Sequence, residues 1–117
     1  MQLEAQDRGD ARLVRVAEPR IDAAIAIHFK EAVRVAAGEG SRRVLLDLSQ
    51  VTFLDSSGLG ALVAAMKLIG PGRRLELAAL QANVERVFRL TRLDTVFTIH
   101  PSVAEALGPS SRLADAG

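Results

Sequence analysis

Val44 to Met66 reads Val-Leu-Leu-Asp-Leu-Ser-Gln-Val-Thr-Phe-Leu-Asp-Ser-Ser-Gly-Leu-Gly-Ala-Leu-Val-Ala-Ala-Met. Arg43 to Leu48 is a short and nearly continuous apolar run, which is typical of a strand covered on both faces. After a short loop, the apolar spacing predicts a helix over about 57–68. This helix must end at Gly70-Pro71-Gly72, because proline cannot continue a helix and glycine commonly ends one. The stretch therefore predicts a central strand followed by a helix.

The rest of the chain alternates strands and helices in the same way, which is typical of an α/β sheet with helices packed against it. We expect residues 108–117, with Pro109 and two serines, to form a disordered tail. In chain order, apolar spacing and turn residues predict an opening hairpin from Leu3 and Ala5 to Ala11–Ala17, a helix capped by Asp22 after Pro19, a strand at Leu75–Ala79, a helix at Ala82–Leu90, a strand at Val96–Ile99 and a helical turn near Val103–Leu107.

The helix after the central strand is unusual because both of its faces are apolar. Its helically spaced large residues predict a buried stripe, which consists of Leu59, Leu62, Val63 and Met66. The opposite positions are Gly60, Ala61, Ala64 and Ala65, so we expect a small, flat outward face that suits a partner's close approach. The alternatives are a helix covered on both sides within this domain, or an alanine surface without a role.

Asp55, Ser56 and Ser57 stand where this helix begins. One of them is expected to accept a hydrogen bond from the free N–H groups of the first turn. A hydroxyl at a helix N-terminus is also a favourable place to hold a phosphate, because the helix dipole and the unpaired N–H groups attract negative charge. Gly58 would leave the approach to this point sterically open.

The residues from Val44 to Gly60 resemble the signature of STAS-domain anti-sigma factor antagonists. The resemblance covers most of the chain, since Ile21-Asp22 is similar to the family's Gly-x-Leu-Asp corner, and Val84–Phe88 with Leu93 is similar to its third-helix segment. It implies an α/β STAS fold over residues 1–107: a mixed β-sheet that opens with a hairpin and carries helices mainly on one side.

In that family, the serine directly after the aspartate is phosphorylated by a partner that is both the anti-sigma factor and a kinase. The resemblance places this serine at Ser56. The unphosphorylated form binds the anti-sigma factor and releases the sigma factor, and a phosphatase resets the phosphorylated form. The implied protein is a non-enzymatic regulator. Its implied partner-binding residues are Asp22, Asp55, Ser57, Gly58, Leu59, Gly60 and Ala61.

Two departures from the family pattern leave the identity of the partner open. Pro19 occupies the corner glycine position, and Ala23, Ala24 and Ile25 replace the usual polar residues. One alternative function is a constitutive STAS subunit without a phospho-switch, for example in a transporter ATPase complex. A further alternative is a domain that binds a small molecule or nucleotide.

Composition narrows the possible functions. Fifteen basic and fourteen acidic residues give a net charge of +1, which argues against binding to nucleic acid. The absence of cysteine, of a signal-like N-terminus and of any apolar run near 20 residues predicts a cytoplasmic protein without membrane insertion.

Metal and cofactor sites are not expected. His28 and His100 lack ligands at metal-binding spacing, and Asp22, Asp47 and Asp55 are interpreted as caps or strand ends. No glycine-rich phosphate loop is present, so ATP should come with the kinase. The repeated arginines Arg86, Arg89 and Arg92 are interpreted as a solvated helix face.

Overall fold

The computed structural model describes residues 1–108. The seven strands are β1 (Leu3–Arg8), β2 (Ala11–Val16), β3 (Arg20–Ile21), β4 (Arg43–Asp47), β5 (Phe53–Leu54), β6 (Arg74–Ala78) and β7 (Thr98–His100). The helices are α1 (Ala26–Ala37), α2 (Ser56–Ile69), α3 (Ala82–Leu90) and α4 (103–108), with a 3-10 turn at Leu93–Thr95. The predicted α/β alternation is therefore confirmed.

Five of the strands form one mixed sheet in the order β1-β2-β4-β6-β7. The pair β1 and β2 is the antiparallel hairpin that the sequence predicted, and the other neighbours run parallel. The strand β4 lies at the centre, where Val44, Leu45 and Leu46 are fully buried. Its apolar run thus reflects cover on both faces of the sheet.

The two faces of the sheet carry unequal layers. The main core joins side chains of α1, α2 and α3 to one face of the sheet, among them Phe29, Leu62 and Phe88. The smaller core on the other face includes Leu45 of β4 and Leu107 of α4. This arrangement confirms helices mainly on one side.

A buried ionic cluster joins the second face to α4. Both oxygens of Glu76 accept hydrogen bonds from Arg43, at 2.8 and 3.2 Å, and Nε2 of His100 lies 2.7 Å from Oε1. Arg43 also donates to the Ala106 carbonyl of α4 at 2.7 Å. Burial raises the pKa of Glu76, but the hydrogen bonds from Arg43 and His100 lower it more, so the carboxylate stays ionised below its usual range.

Three details differ from the sequence prediction. Asp22 does not cap α1: its side chain accepts from the Ala24 N–H, and its carbonyl accepts from the Ile25 N–H. These bonds close a turn, so the helix begins only at Ala26. The last strand starts at Thr98, because the 3-10 turn occupies the preceding residues. The two-residue strands β3 and β5 were not predicted.

The predicted C-terminal tail, 108–117, lies outside the described residues except for Gly108, which ends α4. It stays a prediction. No helix among the described residues is long and apolar enough to cross a membrane.

Candidate functional site

A small parallel pair, β3 with β5, brings the turn after β3 beside the start of α2. The register places Arg20 opposite Phe53 and Ile21 opposite Leu54. Backbone hydrogen bonds extend the pairing at both ends, from Thr52 N to Pro19 O at 2.8 Å and from Asp55 N to Ile21 O at 3.4 Å. Two distant segments of the chain therefore form one local surface.

Asp55 joins these two segments through its side chain. Its Oδ1 accepts from the Gly58 N–H at 2.9 Å, which makes Asp55 the N-cap of α2. Its Oδ2 accepts from the Ala23 N–H at 3.2 Å. Of the three residues that the sequence offered as a cap, the aspartate is the one used, and it also holds the turn in place.

Ser56 and Ser57, the first two residues of α2, are exposed. Neither hydroxyl has a hydrogen-bond partner within residues 1–108. The N–H groups of these two residues also have no carbonyl partner within α2, because they lie in its first turn. An exposed hydroxyl and free donors therefore coincide at the positive end of the helix dipole.

Gly58 has a different role from the one expected. It is buried, and a Cβ at this position would lie 2.2 Å from the Ile21 carbonyl oxygen and 2.6 Å from Leu54 Cδ1. The prediction that Gly58 keeps the approach to Ser56 open is wrong. The residue lets the start of α2 pack directly on the backbone of β3.

The prediction that α2 presents a flat outward face is also partly wrong. Ala61 and Ala65 are 6% and 0% exposed and belong to the main core, and α1 packs beside α2. Small side chains allow two helices to approach closely, so their size fits a helix contact as well as a free surface. Gly60 is exposed and Ala64 is half-buried, so the accessible face is narrower than predicted.

The predicted partner-binding residues separate into two groups. Ser57 and Gly60 are exposed, and Asp22 and Asp55 are half-buried, whereas Gly58, Leu59 and Ala61 are buried. The structure therefore brings all seven together around the start of α2 but leaves three of them little surface to offer. Their role in binding stays a prediction.

The turn after β3 supplies the other half of this surface, at the positions where alanine replaces the polar residues of the family pattern. Ala23 and Ala24 are exposed in this turn, which the Asp55 side chain holds beside the start of α2. We call the exposed group Ala23, Ala24, Ser56 and Gly60 the turn–helix surface.

One ion pair lies beside the turn–helix surface. Arg20 lies 3.3 Å from Asp22 and stacks over the Phe53 ring at 4.3 Å from its centroid. Both contacts fix the position of the guanidinium. Within residues 1–108, no group of three acidic or histidine side chains is suited to hold a metal ion.

Comparison with known proteins identifies the family. The model of the STAS domain matches residues 2–106. The chain belongs to the STAS domain family. An anti-sigma-B factor antagonist from Listeria monocytogenes is 30% identical over 98 residues, which are 83% of this chain and 86% of the relative. A Thermotoga neapolitana relative is 36% identical over 70 residues, 59% of this chain, and the match spans only 62% of that relative's length.

Solved structures agree with this STAS assignment. The crystal structure of an anti-sigma factor antagonist from Mycobacterium paratuberculosis has a TM-score of 0.78 and 25% identity, covering 95% of this chain and 93% of the other. SpoIIAA in its unphosphorylated form, at 21% identity, has a TM-score of 0.70 and covers 97% of this chain and 96% of the other, which shows a shared fold. STAS proteins of the anti-sigma factor antagonist type are regulators and not enzymes.

Proposed function

We propose that this STAS protein is a cytoplasmic anti-sigma factor antagonist that Ser56 phosphorylation switches off. Its unphosphorylated form binds an anti-sigma factor that is also a serine kinase, and this binding releases the sigma factor. The phosphorylated form does not bind until a phosphatase removes the phosphate. The exposed, unbonded Ser56 hydroxyl at the first position of α2 carries the proposal.

The position of Ser56 meets both requirements of such a switch. A kinase needs an accessible hydroxyl, and Ser56 is exposed with no internal hydrogen bond among the described residues. A partner needs an adjacent surface, which Gly60 and the turn residues Ala23 and Ala24 supply without bulky side chains. The relatives named as anti-sigma factor antagonists support the same function.

Electrostatics explains why one phosphate would prevent docking and leave the fold intact. A phosphoserine adds about −1.5 to −2 charges at neutral pH. The N-terminus of α2 stabilises an anion by roughly 0.3–2 kcal/mol, which offsets repulsion from the neighbouring Asp55 carboxylate. In an apolar interface, an unmatched charge costs about 3–5 kcal/mol, so affinity should fall roughly a hundredfold or more.

The proposal is tested with Ser56→Ala, Ser56→Asp and the matched control Ser57→Ala. After incubation with the cognate kinase and ATP, intact mass should show one phosphate on the wild type and on Ser57→Ala, and none on Ser56→Ala. Ser56→Asp should bind the anti-sigma factor much more weakly than Ser56→Ala, with similar melting temperatures. Equal affinity of the two variants would refute the switch.

The constitutive subunit is the alternative, and the same experiment separates it. A constitutive STAS subunit would acquire no phosphate and would bind its partner equally well with alanine or aspartate at Ser56. The free hydroxyl of Ser56 favours the switched antagonist, because a constitutive contact has no need of a modifiable group at this point.

A further inference from the structure

Four arginines meet at the end of the sheet opposite the loop that leads to α2. Arg42-Arg43 precedes and begins β4, and Arg73-Arg74 precedes and begins β6. The two strands are parallel neighbours with Arg43 opposite Arg74, and the Arg74 N–H donates to the Arg42 carbonyl at 2.8 Å. The four side chains, with Asp10 and Gly72, line one cavity of about 390 Å³, here called the arginine cavity.

Two of these arginines are held rigidly by internal contacts. Arg73 donates to the carbonyls of Ala37, Gly38 and Ser41, at 3.1, 2.8 and 2.6 Å, around the C-terminal end of α1. Arg43 is bound to Glu76 and lies 3.8 Å from Asp10. Because these contacts fix both guanidinium groups, their charges are already ordered at the cavity wall.

The other two arginines, Arg74 and Arg42, have fewer internal contacts. Arg74 is 72% exposed and reaches Glu76 only at 3.4 Å. Arg42 is exposed, and its side chain has no ion pair or hydrogen bond within residues 1–108. Among residues 1–108, the four guanidinium groups therefore share only the carboxylates of Asp10 and Glu76, which leaves an excess of two positive charges at the cavity.

We propose that the arginine cavity binds a phosphoryl group, either as free phosphate or as part of a small molecule. A phosphate dianion matches this excess of two positive charges, and guanidinium groups bind its oxygens through paired N–H donors. The volume lies within the roughly 300–1,000 Å³ typical of ligand sites. Gly72 leaves the rim open, because no heavy atom lies within 4 Å of a Cβ built there. The site is distinct from Ser56, which follows the opposite end of β4.

The test is an amide chemical-shift titration of the full chain with inorganic phosphate, with sodium chloride adjusted to hold the ionic strength constant. We expect saturable shifts at Arg42, Gly72 and Arg74 with a dissociation constant below about 1 mM. The double variant Arg42→Gln/Arg74→Gln should lose about tenfold or more in affinity. The matched control Arg86→Gln/Arg92→Gln removes the same charge from α3 and from the segment just after it, and should bind as the wild type does.

Further titrations separate the possible sources of the phosphoryl group. If ATP binds more tightly than phosphate and also shifts amide resonances outside the cavity, the result would support a small-molecule ligand. Equal affinity for ATP and phosphate would support free phosphate. Three results would overturn the proposal: no saturation, equal affinity in Arg42→Gln/Arg74→Gln, or binding of a glutamate-rich peptide without binding of phosphate. Unchanged melting of the double variant verifies that it is folded.

Discussion

The same substitution at two glycines of α2 should change stability in opposite directions. In Gly58→Ala, the new methyl group meets the Ile21 carbonyl oxygen at 2.2 Å and Leu54 Cδ1 at 2.6 Å. The oxygen belongs to the backbone of β3, so it cannot rotate away. In Gly60→Ala, the methyl group meets no heavy atom within 4 Å. Only the first change therefore forces β3 away from α2.

The expected magnitudes follow from two opposing effects. Alanine favours a helix over glycine by about 0.5–1 kcal/mol, and this is the whole effect at Gly60. At Gly58, overpacking costs about 1–3 kcal/mol or more, and the first helical turn gains less from alanine. We expect Gly58→Ala to lose about 2 kcal/mol, a fall in melting temperature of roughly 8–16 °C for a domain of this size.

Thermal and urea unfolding, each followed by circular dichroism, measure both variants under one set of conditions. Gly60→Ala should melt a few degrees above the wild type, roughly 2–8 °C. If Gly58→Ala were as stable as the wild type, or if both variants moved in the same direction, the close contact between α2 and β3 would be refuted.

Three further changes test contacts elsewhere in the fold. Asp55→Ala should destabilise by about 1–2 kcal/mol in urea unfolding, whereas Asp55→Asn, which can still cap Gly58, should lose less; equal losses would contradict the capping role. The pKa of Glu76 lies below its usual value, so its stabilising effect is present above pH 4.5, the ordinary value, and is lost as the pH falls through the folded value. Glu76→Gln should cost about 3 kcal/mol at pH 7, because it removes the buried carboxylate that Arg43 and His100 contact and leaves Arg43, within residues 1–108, only the distant Asp10 as an acidic partner. The variant should also lose less stability than the wild type as the pH falls, and an unchanged loss at acid pH would count against the cluster. Arg73→Lys should cost about 1–2 kcal/mol in the same unfolding assay, because an ammonium group cannot serve three carbonyls at once, and a neutral result would show these bonds to be unimportant.

The sequence predicted those elements whose pattern is repeated over several residues. Examples are the apolar run from Arg43 to Leu48, the opening hairpin and α2. In each of them, several apolar positions follow the same strand or helix period. The strands β3 and β5 contain two residues each, so no periodicity exists to reveal them. Their pairing depends on backbone hydrogen bonds that any residue other than proline can donate.

The residue types at the helix start indicated where the candidate site lies, and only the resemblance to the STAS family selected Ser56 within it. Ser56 is exposed, and its role stays a prediction. The burial of Ala61 does not follow from the residue types, because alanine suits a solvent face and a helix–helix contact equally well. The arginine cavity required knowledge of which strands are neighbours, since its two Arg-Arg pairs are separated by a helix and two strands in the chain.

The bond between Asp55 and Ala23 spans 32 positions and joins the start of α2 to the turn after β3. In the function proposed above, the helix start carries the serine that is phosphorylated, and the turn shapes the binding surface beside it. Because Ala23 and Ala24 are exposed, they can be exchanged with little effect on the core. If that function holds, replacing the turn with the turn of a relative should change which partner binds and leave phosphorylation of Ser56 unchanged.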